Sequence, residues 1–71
     1  MNWTADISND PIRNMELYIE LIEGGKYRGR VQRNVAGELE LTIYGTEPFS
    51  VPAAWLMDIL SRASVDLPIP G

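Results

Sequence analysis

Ten carboxylates and six basic side chains carry the charge of this 71-residue chain, which contains neither histidine nor cysteine. Without histidine the usual general base near neutral pH and the commonest metal ligand are missing. Without cysteine, thiol catalysis and tetrahedral zinc binding fall away as well. Acid–base chemistry on two carboxylates would need them in a cleft, with their pKa values pushed apart. Glu16 with Glu20, and Glu38 with Glu40, do share a face, but alternation in any soluble strand produces such pairs. Gly24-Gly25 leads into Lys26-Tyr27 and a strand, not into a helix, so it lacks the form of a phosphate-binding loop. The sequence therefore argues for a protein that is not an enzyme and that holds no cofactor and no metal.

The basic residues are the more informative set. Lys26, Arg28, Arg30 and Arg33 fall within eight positions, four of the six cations in the chain. Read along the line they resemble a nucleic-acid patch. Read on a folded ribbon, most have an acid or an aromatic ring as a cross-strand neighbour, and such pairs contribute roughly 0.2–1 kcal/mol each. Tyr18, Arg28, Arg30 and Tyr44, with Lys26 and Glu40 beside them, supply the aromatic–arginine composition typical of protein-binding surfaces.

These residues are positioned by the stretch from Met15 to Tyr44. Met15, Leu17, Ile19 and Leu21 alternate with Glu16, Tyr18 and Glu20; Tyr27, Gly29 and Val31 alternate with Lys26, Arg28, Arg30 and Gln32; Leu39, Leu41 and Ile43 alternate with Glu38, Glu40, Thr42 and Tyr44. A period of two is the signature of a half-buried strand. Glycines at 24–25 and 37 punctuate the three runs and suit hairpin turns. Because paired residues share a face, a three-residue loop over 23–25 sets Leu21 against Tyr27, Ile19 against Gly29 and Leu17 against Val31. A two-residue loop would oppose Leu21 to Arg28, mixing core with surface. A three-residue second loop sets Val31 against Leu41 and Gly29 against Ile43. The outer face then pairs Glu20 with Arg28, Tyr18 with Arg30 and Gln32 with Glu40. Arg33 is the odd cation, sharing the inner parity of Val31.

The flanks read as covers for this meander. Trp3, Ala5 and Ile7 alternate with polar residues, so residues 1–14 form an arm or a fourth, edge strand, ended by the turn Ser8-Asn9-Asp10-Pro11. Trp3 is expected in the core. Pro52 suits a helical first turn capped by Ser50 or Val51. The helix is expected over 51–63, with Trp55, Leu56, Ile59, Leu60 and Ala63 on one stripe against Leu17, Ile19, Leu41 and Ile43. Met57 falls off that stripe. Pro68 and Pro70 make 64–71 an extended tail. The fold class is α+β: an antiparallel meander of three strands, or four, roofed on one face by a single C-terminal helix.

Tyr27-Arg28-Gly29-Arg30-Val31-Gln32-Arg33 resembles the opening strand of the plant ethylene-response DNA-binding domains, which are also three strands and a helix. That resemblance implies base contacts from the sheet. It spans seven of the 71 residues. Here the run falls on the middle strand, and glutamates stand on the flanking strands.

One domain is expected from this length, and Met1 suggests a whole chain. Burial in so small a chain barely exceeds its conformational entropy, so a homodimer is one support the sequence invites. No signal peptide and no apolar run of the roughly 20 residues of a membrane span is visible. With a net charge of −4, the composition points to a cytoplasmic protein with little general affinity for nucleic acid. The expected function is that of a small, acidic protein–protein interaction module of accessory, inhibitor, antitoxin or immunity type. It would bind through the outer sheet face or an edge strand. The alternative is a nucleic-acid binder that reads a groove with the basic middle strand.

Overall fold

A computed structural model describes residues 1–69. Four strands form one antiparallel sheet in the order β1-β2-β3-β4, with β1 Trp3–Asp10, β2 Glu16–Glu23, β3 Lys26–Arg33 and β4 Leu39–Ile43. The helix α1, Ala53–Asp66, packs on one face, and the fold is α+β. The N-terminal arm is a full strand. It pairs with β2 along its whole length, from Trp3 opposite Glu23 to Asp10 opposite Glu16.

Alternation decides which residues meet the helix. Trp3, Ile19, Leu21 and Val31 from the sheet join Ile59, Ala63 and Leu67 in one buried cluster. Trp3 is wedged between Trp55, with ring centroids 5.4 Å apart, and Phe49, at 6.0 Å. Such tilted aromatic pairs add roughly 0.5–1.5 kcal/mol beyond the area they bury.

The β2–β3 connection differs from the three-residue loop expected from parity. Glu23 pairs with Lys26, so the loop is the two residues Gly24-Gly25, both left-handed at φ 55° and 82°. Two positive φ values give the turn whose twist matches its strands. Parity survives because the register shifts immediately beyond: Ile22 faces Tyr27 and Leu21 faces Gly29, which leaves Arg28 as an extra residue in β3. A bulge adds one residue to one strand and re-aims its side chains. Ile19 consequently meets Val31, two positions from the expected partner. Tyr27, paired with Ile22, is placed opposite the face that alternation alone assigns to it.

The second loop follows expectation, with Val31 opposite Leu41 and Gly29 opposite Ile43. The Asn34 side-chain oxygen accepts the Ala36 and Glu38 N–H groups at 3.0 Å and sets the loop.

Three other expectations need correction. Met15 does not open a strand: Asn14 and Met15 are both left-handed, at φ 61° and 62°, in the turn that reverses the chain after the short 3-10 segment Pro11–Arg13. The helix starts at Ala53 with Pro52 at its cap, makes no side-chain cap, and continues three residues past Ala63 to Asp66. Of the expected inner residues, Leu41 and Ile43 are not roofed, because α1 lies nearest β3 and leaves the β4 margin open. The last two residues of the tail read as 64–71 lie outside the described residues.

Candidate functional site

The outer face of the sheet carries one connected polar cluster that draws on β1, β2, β3 and Tyr44, the residue that follows β4. Arg30, in β3, donates from Nε to the Tyr44 hydroxyl at 2.7 Å, and that hydroxyl donates to Glu20 Oε2 at 2.7 Å. The Arg30 guanidinium stacks 4.2 Å above the Tyr18 ring and lies 5.8 Å from the Tyr44 ring. Its Nη1 reaches Asp10 Oδ2, at the end of β1, at 3.3 Å. Gln32 donates to the same oxygen at 3.2 Å. Register explains the assembly: Glu20 pairs with Arg30, and Arg30 with Thr42, so the strands deliver acid, base and aromatic to one place.

Asp10 is the residue that sequence reading assigned only to a turn. Its Oδ1 accepts the Ile12 N–H at 3.0 Å and caps the 3-10 turn, while Oδ2 serves Gln32 and Arg30. The signal was present in the Asp-Pro step, since aspartate before proline is a capping pattern. What could not be read was that β1 carries it under the arginine.

The Gln32 amide holds the Asp10 carboxyl below its ordinary value, with the Ile12 N–H and Arg30 assisting against the opposing effect of burial. Its folded-state pKa is depressed, so its contribution to stability is present above the unfolded value and lost as pH falls through the folded one. Asp10→Asn should therefore destabilise the protein at neutral pH and flatten the acid limb of its stability profile below about pH 4. Urea titrations at pH 7 and pH 3 measure both effects; equal losses at the two pH values would exclude this role for the charge. Burial likewise pushes the Tyr44 hydroxyl above its ordinary pKa, and it stays a neutral donor to Glu20.

The expected site residues separate into two groups. Tyr18, Arg30 and Tyr44 come together as described. Glu40, exposed and opposite Gln32, accepts from Asn34 Nδ2 at 3.3 Å and lies on the same face. Arg28 does not belong there. The bulge turns it toward the helix side, where Nε meets Glu23 Oε1 at 2.9 Å and the guanidinium lies 5.1 Å from the Phe49 centroid. The expected Glu20–Arg28 and Tyr18–Arg30 cross-strand pairings are thus replaced. Glu20 faces Arg30, and Tyr18 lies diagonally beneath it. Lys26 is exposed at the Gly-Gly turn, where it lines an open groove of about 230 Å³ with Tyr27, Arg28, Tyr44 and Glu47.

Arg33, the misfit in parity, donates to three main-chain carbonyls: Leu67 at 2.8 Å, Gly37 at 2.7 Å and Ser64 at 2.9 Å. Of the four clustered cations, the three arginines are thus already bound within the chain. The rim of the outer face is acidic. Asp6 stands directly opposite Glu20, and Glu40 follows on β4.

Among the described residues there is no grouping of acidic side chains that could hold a metal ion, and no helix long and apolar enough to cross a membrane. Comparison with known proteins brings no match, whether to a family model, to a curated protein or to a solved structure.

Proposed function

We propose that this chain is a non-enzymatic protein–protein interaction module that presents its outer sheet face to a basic surface on another protein. The observation that carries the reading is the Tyr18–Arg30–Tyr44 cluster, locked by Glu20 and Asp10 on the sheet face away from α1 and set within an acidic rim. Side chains already fixed by packing and hydrogen bonds lose little entropy on binding, and aromatic and arginine residues dominate binding energy at interfaces. The rim residues Asp6 and Glu40, both exposed, steer a cationic partner and repel anionic ones. An accessory, inhibitor, antitoxin or immunity-type role in the cytoplasm fits a small acidic domain of this kind. The reading of β3 as a groove-reading strand has weaker support, since Arg28, Arg30 and Arg33 are engaged with the chain itself.

The test uses positions that the fold does not need. Tagged protein and its Asp6→Lys/Glu40→Lys variant are compared by pull-down from a lysate of the source cells, with circular dichroism as the folding control. A basic protein should be recovered by the wild type and reduced about tenfold or more by the double reversal, in line with several kcal/mol for like-charge contacts across an interface. Equal recovery would place the interface elsewhere.

A further inference from the structure

Among the described residues, the β4 edge combines an unpaired hydrogen-bonding row with exposed aliphatic side chains. Tyr44 N–H donates to Arg28 at 3.0 Å and Asn34 N–H donates to Glu38 at 2.8 Å, so the even-numbered residues of β4 carry the bonds to β3. The N–H and C=O groups of Leu39, Leu41 and Ile43 therefore point away from the sheet. The side chains of these three residues lie on the helix side, where Leu41 is 41% exposed and Ile43 49% exposed. Leu56 and Leu60 occupy the helix flank turned away from β1, with Met57, 68% exposed, beyond them. Natural edge strands are often blunted by lysine, proline or bulges; β4 has none of these, and its one charge, Glu40, lies on the face away from the aliphatic strip.

We infer that a second copy of this chain pairs antiparallel along β4, about a two-fold axis through Leu41, to form a continuous eight-stranded sheet. The self-complementarity of the strand selects the occupant. With Leu41 against Leu41 of the partner subunit, Leu39 meets the partner's Ile43. All three outward-facing residues are satisfied by about six hydrogen bonds. On the opposite face Glu40 meets the partner's Thr42, so no glutamate of the strand opposes another. The axis stands perpendicular to the sheet, so both helices lie on one side and close over the aliphatic strip between them. This covers Leu41, Ile43 and the Met57 flank. Small chains without disulfides often gain their missing core by association, and this one has neither cysteine nor a large cluster.

The other edge is less suited. Along β1 the helix flank presents Arg62 and Asp66 around a cleft of about 110 Å³ with Ala5 and Ile7. Pairing there would bring those charges toward their own copies.

Sedimentation across low to high micromolar protein should show the mass rising from 8.0 kDa to twice that value. Leu41→Pro removes an N–H that points away from β3 and has no intrachain partner among the described residues, so this variant should stay folded and monomeric. Thr42→Glu places a carboxylate against the partner's Glu40 on both sides of the axis and should weaken the dimer about tenfold, while Thr42→Lys should tighten it by a similar factor. Ile7→Lys, on the β1 edge, should leave the dimer unchanged. A wild type that stays monomeric throughout would overturn the inference. So would dissociation by Ile7→Lys, or Thr42 variants that shift the constant in the same direction. Should Leu41→Pro fail to fold, the opposed Thr42 pair decides alone. Because the Asp6→Lys/Glu40→Lys variant leaves the aliphatic edge intact, it should lose the basic partner and keep the dimer. The two readings can therefore fail separately.

Discussion

Gly29→Ala is expected to destabilise the domain by about 3 kcal/mol, at the upper end for forcing extra volume into a packed site. Gly29 is buried, and a Cβ built on it would stand 2.5 Å from the carbonyl oxygen of Thr42 and 3.6 Å from the Ile43 Cα. The obstruction is main chain, so no rotamer change relieves it. β4 must move away from β3, and the pairing of Gly29 with Ile43 must open. Gly29 also directly follows the Arg28 bulge in β3. The close approach of β4 requires a residue without a side chain at this position, and an isolated glycine in a strand often marks such an approach or a bulge. Urea denaturation followed by Trp3 and Trp55 fluorescence measures the loss. A Tm lower by roughly 15 °C should accompany it, at about 4–8 °C per kcal/mol for a domain of this size. A loss under about 1 kcal/mol would mean that the β3–β4 ladder yields more readily than its geometry implies.

The alternation in the chain made the sheet and its buried side legible, because a period of two leaves one choice of face. The Val31–Leu41 and Gly29–Ile43 pairings follow from that alternation and the glycine at 37. It failed at the Gly24-Gly25 turn, where parity admits two solutions. A three-residue loop preserves face identity, and so does a two-residue loop followed by a bulge. Sequence alone does not favour the second, because the bulge is stabilised by tertiary partners: Glu23 for the Arg28 guanidinium, and Phe49 beneath it. Phe49 comes from a loop 21 residues away along the chain. The outer cluster was half legible for a related reason. Tyr18, Arg30 and Tyr44 could be placed on one face by counting. Asp10 could not be joined to them until β1 was known to pair with β2 along its full length.

The unroofed β4 margin is the other point at which pattern and structure part. Leu41 and Ile43 have the periodicity of core residues, yet a single helix of 14 residues over β3 is too narrow to cover four strands. A helix with its side chains is about 10–12 Å across, whereas four strands span roughly 14–15 Å between outer axes. Hydrophobic periodicity reports that a face is to be buried, and does not say whether its cover comes from the same chain. That ambiguity is what gives the β4 edge its interest.

Arg33→Met should lower stability by about 2–3 kcal/mol, and Arg33→Lys should recover little of it. Arg33 shares the inner face of Val31, where an aliphatic residue would be expected from the pattern. Its side chain lies alongside the core, while its guanidinium gathers the carbonyls of Ser64 and Leu67 at the end of α1 and of Gly37 in the β3–β4 loop, each between 2.7 and 2.9 Å. The last carbonyls of a helix have no partners within it and carry the negative end of its dipole, so a cation there answers both needs. Each charge-assisted bond contributes about 1.5–3 kcal/mol in favourable settings, but the three share one side chain and partial exposure, which holds the total nearer that of one. The methionine variant keeps much of the aliphatic length and removes all the donors. Lysine keeps the charge but offers one ammonium in place of the planar fork that reaches three acceptors in different directions. If electrostatics with the helix end dominated, lysine would restore most of the stability and the difference from methionine would shrink in high salt. If the fork geometry dominates, as the three short distances indicate, both variants fall together and salt changes little. Hydrogen exchange should then locate the damage in the last turn of α1 and in the 34–38 loop. Arg33 thus ties the end of α1 and the 34–38 loop to β3.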